Sequence, residues 1–510
     1  MAGTMTATGL YQAVRDVADD RAGTVAVRTT DGQSTSYTGL VELTDRIAGG
    51  LAGHGVRAGD TVAVVLRNSI GYVALILAVA RLGARYVPLM ANFDDAGVRT
   101  ALSRARPALL VTDGHRRVDV DGLPVVDLDP LTIADPSSSP GPTGPQTPDA
   151  PDAPDAPDAP AEPTAIFRLL WTSGSTGFPK MMAWRQDRFV TERRRWLADT
   201  GIHADDVFFC RHTLDVAHAT DLHVFAALLA GAELVLADPQ APAEVLLEQL
   251  AAHATTVTSA LPQHYADLVD AARAQGRFPL PALRRPLCGG AYLSPAIVRD
   301  AADVLGIHLR QIYGSTEFGL AMGNMADVVQ TDGALLPVRG VGTRLELFVP
   351  GHPDVGELVL YSDCTSEGYV DAPEANARTF RRPEFFTGDV ARRSPHGTYR
   401  ILGRVSETLA GATGPLLAPV LDEELTAAGA VAAAVSLAVH PGGYRDEVAV
   451  AAVAADGHSD QDATKTIAEI LAAHGLVGTV RIVPAIPRTP VGKVDKPLLR
   501  TMLGLSGGVR

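Results

Sequence analysis

Between residues 24 and 112 the chain alternates two hydrophobic periods. TVAVRTT (24–30) and TVAVVLR (61–67) are β-branched runs that predict strands, and ALLVTDG (108–114) is a third, closed by a turn signal. LVELTDRIAGGLAGHG (40–55) repeats its apolar residues at helical spacing and ends in glycine, while YVALILAVARLG (72–83) is apolar all round and predicts a buried helix. Strands alternating with helices of this length imply parallel sheets with crossover helices, an α/β architecture. The alternation resumes at AIFRLLWTSG (165–174) and runs through GAELVLAD, TTVTSALP, QHYADLVDAARAQG and RRPLCGGAYL. From about residue 340 the texture becomes β-rich (GTRLELFVP, GELVLYSD, GTYRILGR). After Arg404 a smaller α/β pattern follows, with AAAVSLAVHP and EVAVAAVAAD as strands and DATKTIAEILAAHG as a helix.

Residues 135–163, proline-rich and ending in Asp-Ala-Pro repeats, offer almost nothing to bury and read as an exposed extended insertion within the large domain. The expected organisation is therefore an N-terminal domain over 1–403, built of stacked α/β subdomains plus a β-rich subdomain, and a small α/β domain over 407–510.

Composition narrows the partners. A net charge of −14 and the lack of a dense basic run argue against nucleic acid and a membrane surface. Cys210, Cys288 and Cys364 lie far apart without metal or disulfide spacing, and the N-terminus has no secretion pattern, so a cytoplasmic protein is expected. Of 44 basic residues only four are lysines, and three of these (Lys180, Lys493, Lys496) fall in glycine-containing, motif-like stretches. Arginine cannot replace a compact ammonium everywhere.

Four stretches carry candidate chemistry. Thr172-Ser173-Gly174-Ser175-Thr176-Gly177, closed by Lys180, follows a strand; glycines and hydroxyls there suit a phosphate-holding concavity, although such a cluster alone also reads as an ordinary turn. Gln311-Ile312-Tyr313-Gly314-Ser315-Thr316-Glu317 joins an aromatic, a glycine, hydroxyls and a carboxylate that can pair with a phosphate-bound Mg²⁺. Thr387-Gly388-Asp389, followed by Gly403-Arg404, suggests an exposed aspartate for ribose hydroxyls, or a turn aspartate capping its own backbone. Gly492-Lys493-Val494-Asp495-Lys496 offers a lysine that can swing into a site, or a solvated one.

In series, TSGSTGFPK, CGGAYLS, YGSTE, TGD, GR and PRTPVGKVDK resemble the signatures of the adenylate-forming superfamily of acyl-CoA synthetases, luciferases and peptide-synthetase adenylation domains. The resemblance covers nearly the whole chain. It implies ATP as substrate, with Thr172, Ser173, Gly174, Ser175, Thr176, Gly177 and Lys180 around the β- and γ-phosphates. It puts adenine beside Gly289-Gly290-Ala291, Gln311, Tyr313 and Gly314, the α-phosphate on Thr316, Mg²⁺ on Glu317 and ribose on Asp389 and Arg404. Lys493 would bridge carboxylate and α-phosphate, carried by a small domain that rotates about a hinge at 404–406. Activated acid would then pass to the thiol of coenzyme A or a carrier protein.

The chain departs from that pattern after Arg404. Ser406 stands at the usual hinge aspartate and Ala410 at the usual lysine, so the loop that should face the thiol is altered and a nitrogen nucleophile is an alternative acceptor. The acid itself is expected against Cys210–His223, where Asp215, His218 and Leu222 are spaced to share a helix face. A polar pocket there favours an amino- or hydroxy-bearing or aromatic acid over a fatty acid. A metal site from the same His and Asp residues is the weaker reading.

Overall fold

The computed structural model describes residues 7–118, 120, 122–133, 161–172, 178–325, 332–346, 353–440, 445–488 and 494–505. Its architecture is mixed α/β, as the alternating pattern predicts. A seven-stranded sheet has the order Gly368–Tyr369, Lys180–Arg185, Ile166–Thr172, Arg85–Pro88, Thr61–Val65, Leu109–Thr112, Val125–Asp127. A nine-stranded sheet runs Leu336–Pro337, Gly319–Gly323, Arg310–Ser315, Arg285–Cys288, Val257–Ala260, Val207–Cys210, Glu233–Leu236, Val25–Thr29, Ser34–Ser36. The central strands of both are parallel.

The helix Ile70–Arg81 shows why these layers stack. Ser69 caps it by accepting from the Tyr72 N–H, and every residue from Tyr72 to Ala80 is buried. A helix apolar on all sides must be covered on all sides, so it lies inside the largest core, which spans strands of both sheets. The proline-rich stretch expected to be exposed lies, from residue 134 to 160, outside the described residues.

A five-stranded antiparallel sheet follows, built on Gly342–Glu346, Val355–Tyr361, Phe380–Arg381, Glu384–Arg393 and Tyr399–Arg404. Beyond it come the hairpin Thr408–Gly411/Gly414–Leu417 and a three-stranded sheet of Val431–Ala438, Glu447–Ala454 and Val477–Ile482, with its own core around Leu421, Val450 and Ile467. Among the described residues no helix is long and apolar enough to cross a membrane.

Candidate active site

The glycine- and hydroxyl-rich loop is the connection of a hairpin. Ile166–Thr172 pairs antiparallel with Lys180–Arg185, and Thr172 sits in register with Lys180. Residues 173–177 lie outside the described residues, but both anchors open onto one cleft of about 500 Å³. Tyr313, Gly314, Ser315, Glu317, Thr387, Gly388, Asp389 and Arg404 line the same cleft, so ten of the motif residues, separated by as much as 232 positions, converge there.

Local geometry explains each placement. Arg310–Ser315 turns through Thr316-Glu317-Phe318 into Gly319–Gly323, and a bulge falls between Tyr313 and Gly314. Gly314 is pinched against the opposite strand: a Cβ there would collide with the Gly319 carbonyl and come within 2.9 Å of the Leu320 Cα. Glu317 at the turn is steadied by Tyr369, whose hydroxyl donates to its Oε1 at 2.8 Å. Lys180 Nζ lies 5.2 Å from the centroid of that tyrosine ring. Burial and the Glu317 charge push the Tyr369 hydroxyl well above its ordinary pKa, so it stays a donor. A cleft-facing carboxylate fixed by a neutral donor, near an ammonium, fits joint holding of Mg²⁺ and phosphates.

Asp389 corrects an expectation. It is not an exposed turn aspartate: it lies within the strand Glu384–Arg393 with 14% of its side chain exposed. Strand pairing sets it opposite Arg404, whose Nε is 3.0 Å from its Oδ1, and the Tyr313 hydroxyl donates to its Oδ2 at 2.6 Å. Burial raises the Asp389 carboxyl, opposed by Arg404 and that hydroxyl. The sequence motifs at 313, 389 and 404 are thus one hydrogen-bonded unit.

Other expected residues stand around this cleft without forming its wall. Gly289 and Gly290 follow Arg285–Cys288 at its carboxyl end, where Cys288 registers with Gln311. Gly290 has φ +80°. Ala291 comes next in the chain, and the Thr316 carbonyl accepts from the Trp184 indole at 2.7 Å. Lys493 lies outside the described residues, although Lys496 Nζ is 2.6 Å from Glu407 Oε2, and Glu407 lines the cleft. Tyr369 and Glu407 were not singled out by sequence reasoning. Tyr369 sits in no motif, and its partner Glu317 is 52 residues away.

These signatures sit on the fold of a known group. A family profile described as AMP-binding enzyme matches residues 14–370. The chain belongs to the AMP-binding enzyme family. It is an adenylate-forming ligase. It is 30% identical to triostin synthetase I of Streptomyces triostinicus, over 92% of this chain and 90% of that one. It is 29% identical to a salicyl-AMP ligase / salicyl-S-ArCP synthetase of Mycobacterium tuberculosis (strain ATCC 25618 / H37Rv), over 93% of this chain and 86% of the relative. The structure of ATP-bound MatB from Rhodopseudomonas palustris superposes with a TM-score of 0.81, covering 97% of this chain and 98% of that one at 21% identity, a likeness of fold.

In this family member the stretch expected against the acid is not one helix face. Asp215 precedes the helix Ala217–Ala219, which passes into a π-helical turn over Thr220–Val224. The wider turn sets His223 rather than Leu222 under His218: the His223 Nδ1 is 3.2 Å from the His218 carbonyl, five residues back. Asp221 anchors the turn to the neighbouring sheet through a buried two-point ion pair with Arg168, one arm of which is 2.8 Å. Among the described residues no group of three or more His, Cys, Asp or Glu side chains is arranged to hold a metal ion.

Proposed function

We propose that this ligase uses ATP and Mg²⁺ to convert a carboxylic acid into its acyl-adenylate in the cleft, releasing pyrophosphate, and then transfers the acyl group to the thiol of coenzyme A or a carrier protein. The observation that carries this reading is the convergence of Thr172, Lys180, Tyr313, Glu317, Asp389 and Arg404 on one cleft. A carboxylate oxygen attacks the α-phosphorus, and the bond to pyrophosphate breaks. Both reactants are anions, so the groups that meet them must offset negative charge as it gathers on phosphorus.

In this reading Lys180, with the hydroxyls of the 172–176 loop, holds the departing phosphates, Thr316 holds the α-phosphate, and Asp389 receives the ribose hydroxyls, oriented by Arg404 and Tyr313. Glu317 would hold Mg²⁺, which supplies Lewis-acid neutralisation of the phosphate oxygens. Lys493 would neutralise the carboxylate and α-phosphate together. In the same reading residues 404–406 form the hinge between a large domain ending at 403 and a small one starting at 407, which lets the thiol in after adenylation.

The salicyl-AMP ligase among its relatives supports an aromatic acid as substrate. A second reading sends the acyl group to an amine. It is favoured by Ala410, whose position in the strand Thr408–Gly411 the family usually gives to a lysine, and by Ser406 at the hinge. Pyrophosphate release across a panel of carboxylic acids tests adenylation. Mass analysis of products with coenzyme A, carrier protein or amine as acceptor then separates the two readings: a thioester supports the first, an amide the second, and acid-independent release contradicts both.

A further inference from the structure

One serine organises an unusual wall of imidazoles at the carboxyl edge of the nine-stranded sheet. Ser259 lies on the strand Val257–Ala260 and uses all three of its polar groups on imidazoles. Its N–H donates to His223 Nε2 at 3.0 Å, its carbonyl accepts from His212 Nε2 at 3.0 Å, and its hydroxyl meets His218 Nε2 at 3.0 Å. These bonds assign the protons: His223 carries its hydrogen on Nδ1, and His212 on Nε2, which leaves the His212 Nδ1 as an acceptor. His264 completes the group, its ring centroid 5.2 Å from that of His212, and its Nδ1 is buried without a hydrogen-bond partner among the described residues. Nearby in the chain, Asp215 uses Oδ2 to accept from the Ala91 N–H at 2.6 Å, while its Oδ1 is buried and has no partner among the described residues.

The wall stands in the right place for a substrate. Val257–Ala260 lies two strands from Arg310–Ser315 in the nine-stranded sheet, about 10 Å at ordinary strand spacing. Both ends face the carboxyl edge of the parallel strands, where open α/β sheets bind ligands. A buried polar nitrogen without a partner, such as the His264 Nδ1, is costly to the empty protein, and a hydrogen-bonding group of a ligand relieves that cost. Burial and the neighbouring imidazoles hold His212 neutral, and burial does the same for His223 and His264, so this environment resists positive charge. An α-ammonium group is therefore a poor occupant, whereas a phenolic hydroxyl or an aryl amine donates without a charge. The tilted stack of imidazole rings, with centroids 4.5 to 6.0 Å apart, also gives a planar ring an aromatic surface to pack on.

We propose that His212 and His264, with His218 and His223 fixed behind them by Ser259, form the specificity wall of the acid site and select planar aryl acids bearing a neutral hydroxyl or amino donor. The proposal rests on the adenylation reading above. The test is acid-dependent ATP–pyrophosphate exchange with hydroxy- and aminobenzoate isomers, their O-methyl counterparts, benzoate, phenylalanine and hexanoate. The expected result is a best donor-bearing isomer favoured over benzoate and over its methyl ether by about 100-fold or more in kcat/KM. His212→Phe and His264→Phe, each checked for native tryptophan fluorescence, should cut that ratio at least tenfold. A purely structural role would lower exchange with every acid alike and leave the ratio intact. Equal use of benzoate and the donor-bearing acids, preference for phenylalanine or hexanoate, or an unchanged ratio in both folded variants would overturn the wall while leaving adenylation standing. If either variant fails to fold, the wild-type ratios alone decide. No exchange with any acid would overturn the adenylation reading, and this proposal with it.

Discussion

Replacing Arg168 by methionine isolates what holds the π-helical turn in place. Arg168 is 1% exposed and Asp221 11% exposed by side chain, and the guanidinium meets both carboxylate oxygens. Its Cζ also lies 4.3 Å from the Phe189 ring centroid. Methionine keeps much of the volume and all of the apolar contact, so cavity formation contributes little. The loss is electrostatic: Asp221 is left buried without its ion-pair partner, with only the Thr220 hydroxyl and the nearby Arg193 to offset its charge, and breaking such a pair typically costs about 3–5 kcal/mol. An exposed pair such as Lys465–Glu469, 4.0 Å apart with side chains 78% and 68% exposed, should contribute nothing measurable and provides the control.

The protein supplies its own probe. Its three tryptophans, Trp171, Trp184 and Trp196, are all buried and all lie in the elements around Arg168, so urea unfolding followed by tryptophan fluorescence reports this region and not the C-terminal sheet. Arg168→Met should lose about 3 kcal/mol or more, and Arg168→Met/Asp221→Leu should recover most of it, because the second change removes the stranded charge. A single-variant loss below about 1 kcal/mol, or a double variant as unstable as the single, would refute the reasoning.

Three further outcomes follow from the site. Asp389→Asn keeps the shape but loses the charge that Tyr313 and Arg404 hold in place; KM for ATP should rise about 10-fold or more at native fluorescence, and an unchanged KM would contradict a ribose-binding role. Tyr369→Phe removes the donor to Glu317 and should raise the Mg²⁺ concentration needed for half-maximal pyrophosphate release several-fold, with titration of Mg²⁺ at saturating ATP as the check. Acid should weaken the fold before carboxylates titrate: His223 is depressed to about 3 by burial, so it stays neutral in the native state while the unfolded chain takes up a proton below its ordinary 6.5. That contribution is complete above pH 6.5 and is lost as pH falls toward 3, at about 1.4 kcal/mol per pH unit for each such histidine. His264 adds to it in the same direction. Urea midpoints that stay level between pH 7 and pH 5 would argue against it.

Local signals in the sequence carried much of the fold. The run from Tyr72 to Ala80 is apolar on every side and is buried on every side, and the pattern change near residue 340 coincides with the antiparallel sheet. The exchange between sheets was not legible: Val25–Thr29 precedes Thr61–Val65 in sequence yet pairs with Glu233–Leu236 in the other sheet. Periodicity reports which face of a strand is covered and says nothing about its neighbour. The same limit applies at the site. Motif order brought Thr172, Lys180, Tyr313, Glu317, Asp389 and Arg404 to notice, but the exposure of Asp389 was misjudged because its burial comes from pairing with Arg404 and from Tyr313, 76 residues away. His218 was noticed at helical spacing with Leu222. The π turn shifts that spacing by one, and the serine that gathers the imidazoles is 41 residues further on.

The central claim, that this cleft joins a carboxylate to AMP with Lys493 in attendance, is tested most directly by ATP–pyrophosphate exchange. The native chain should exchange only when a suitable acid is present, and Lys493→Ala should abolish that exchange while retaining native tryptophan fluorescence. Exchange without acid, or undiminished exchange in Lys493→Ala, would contradict it.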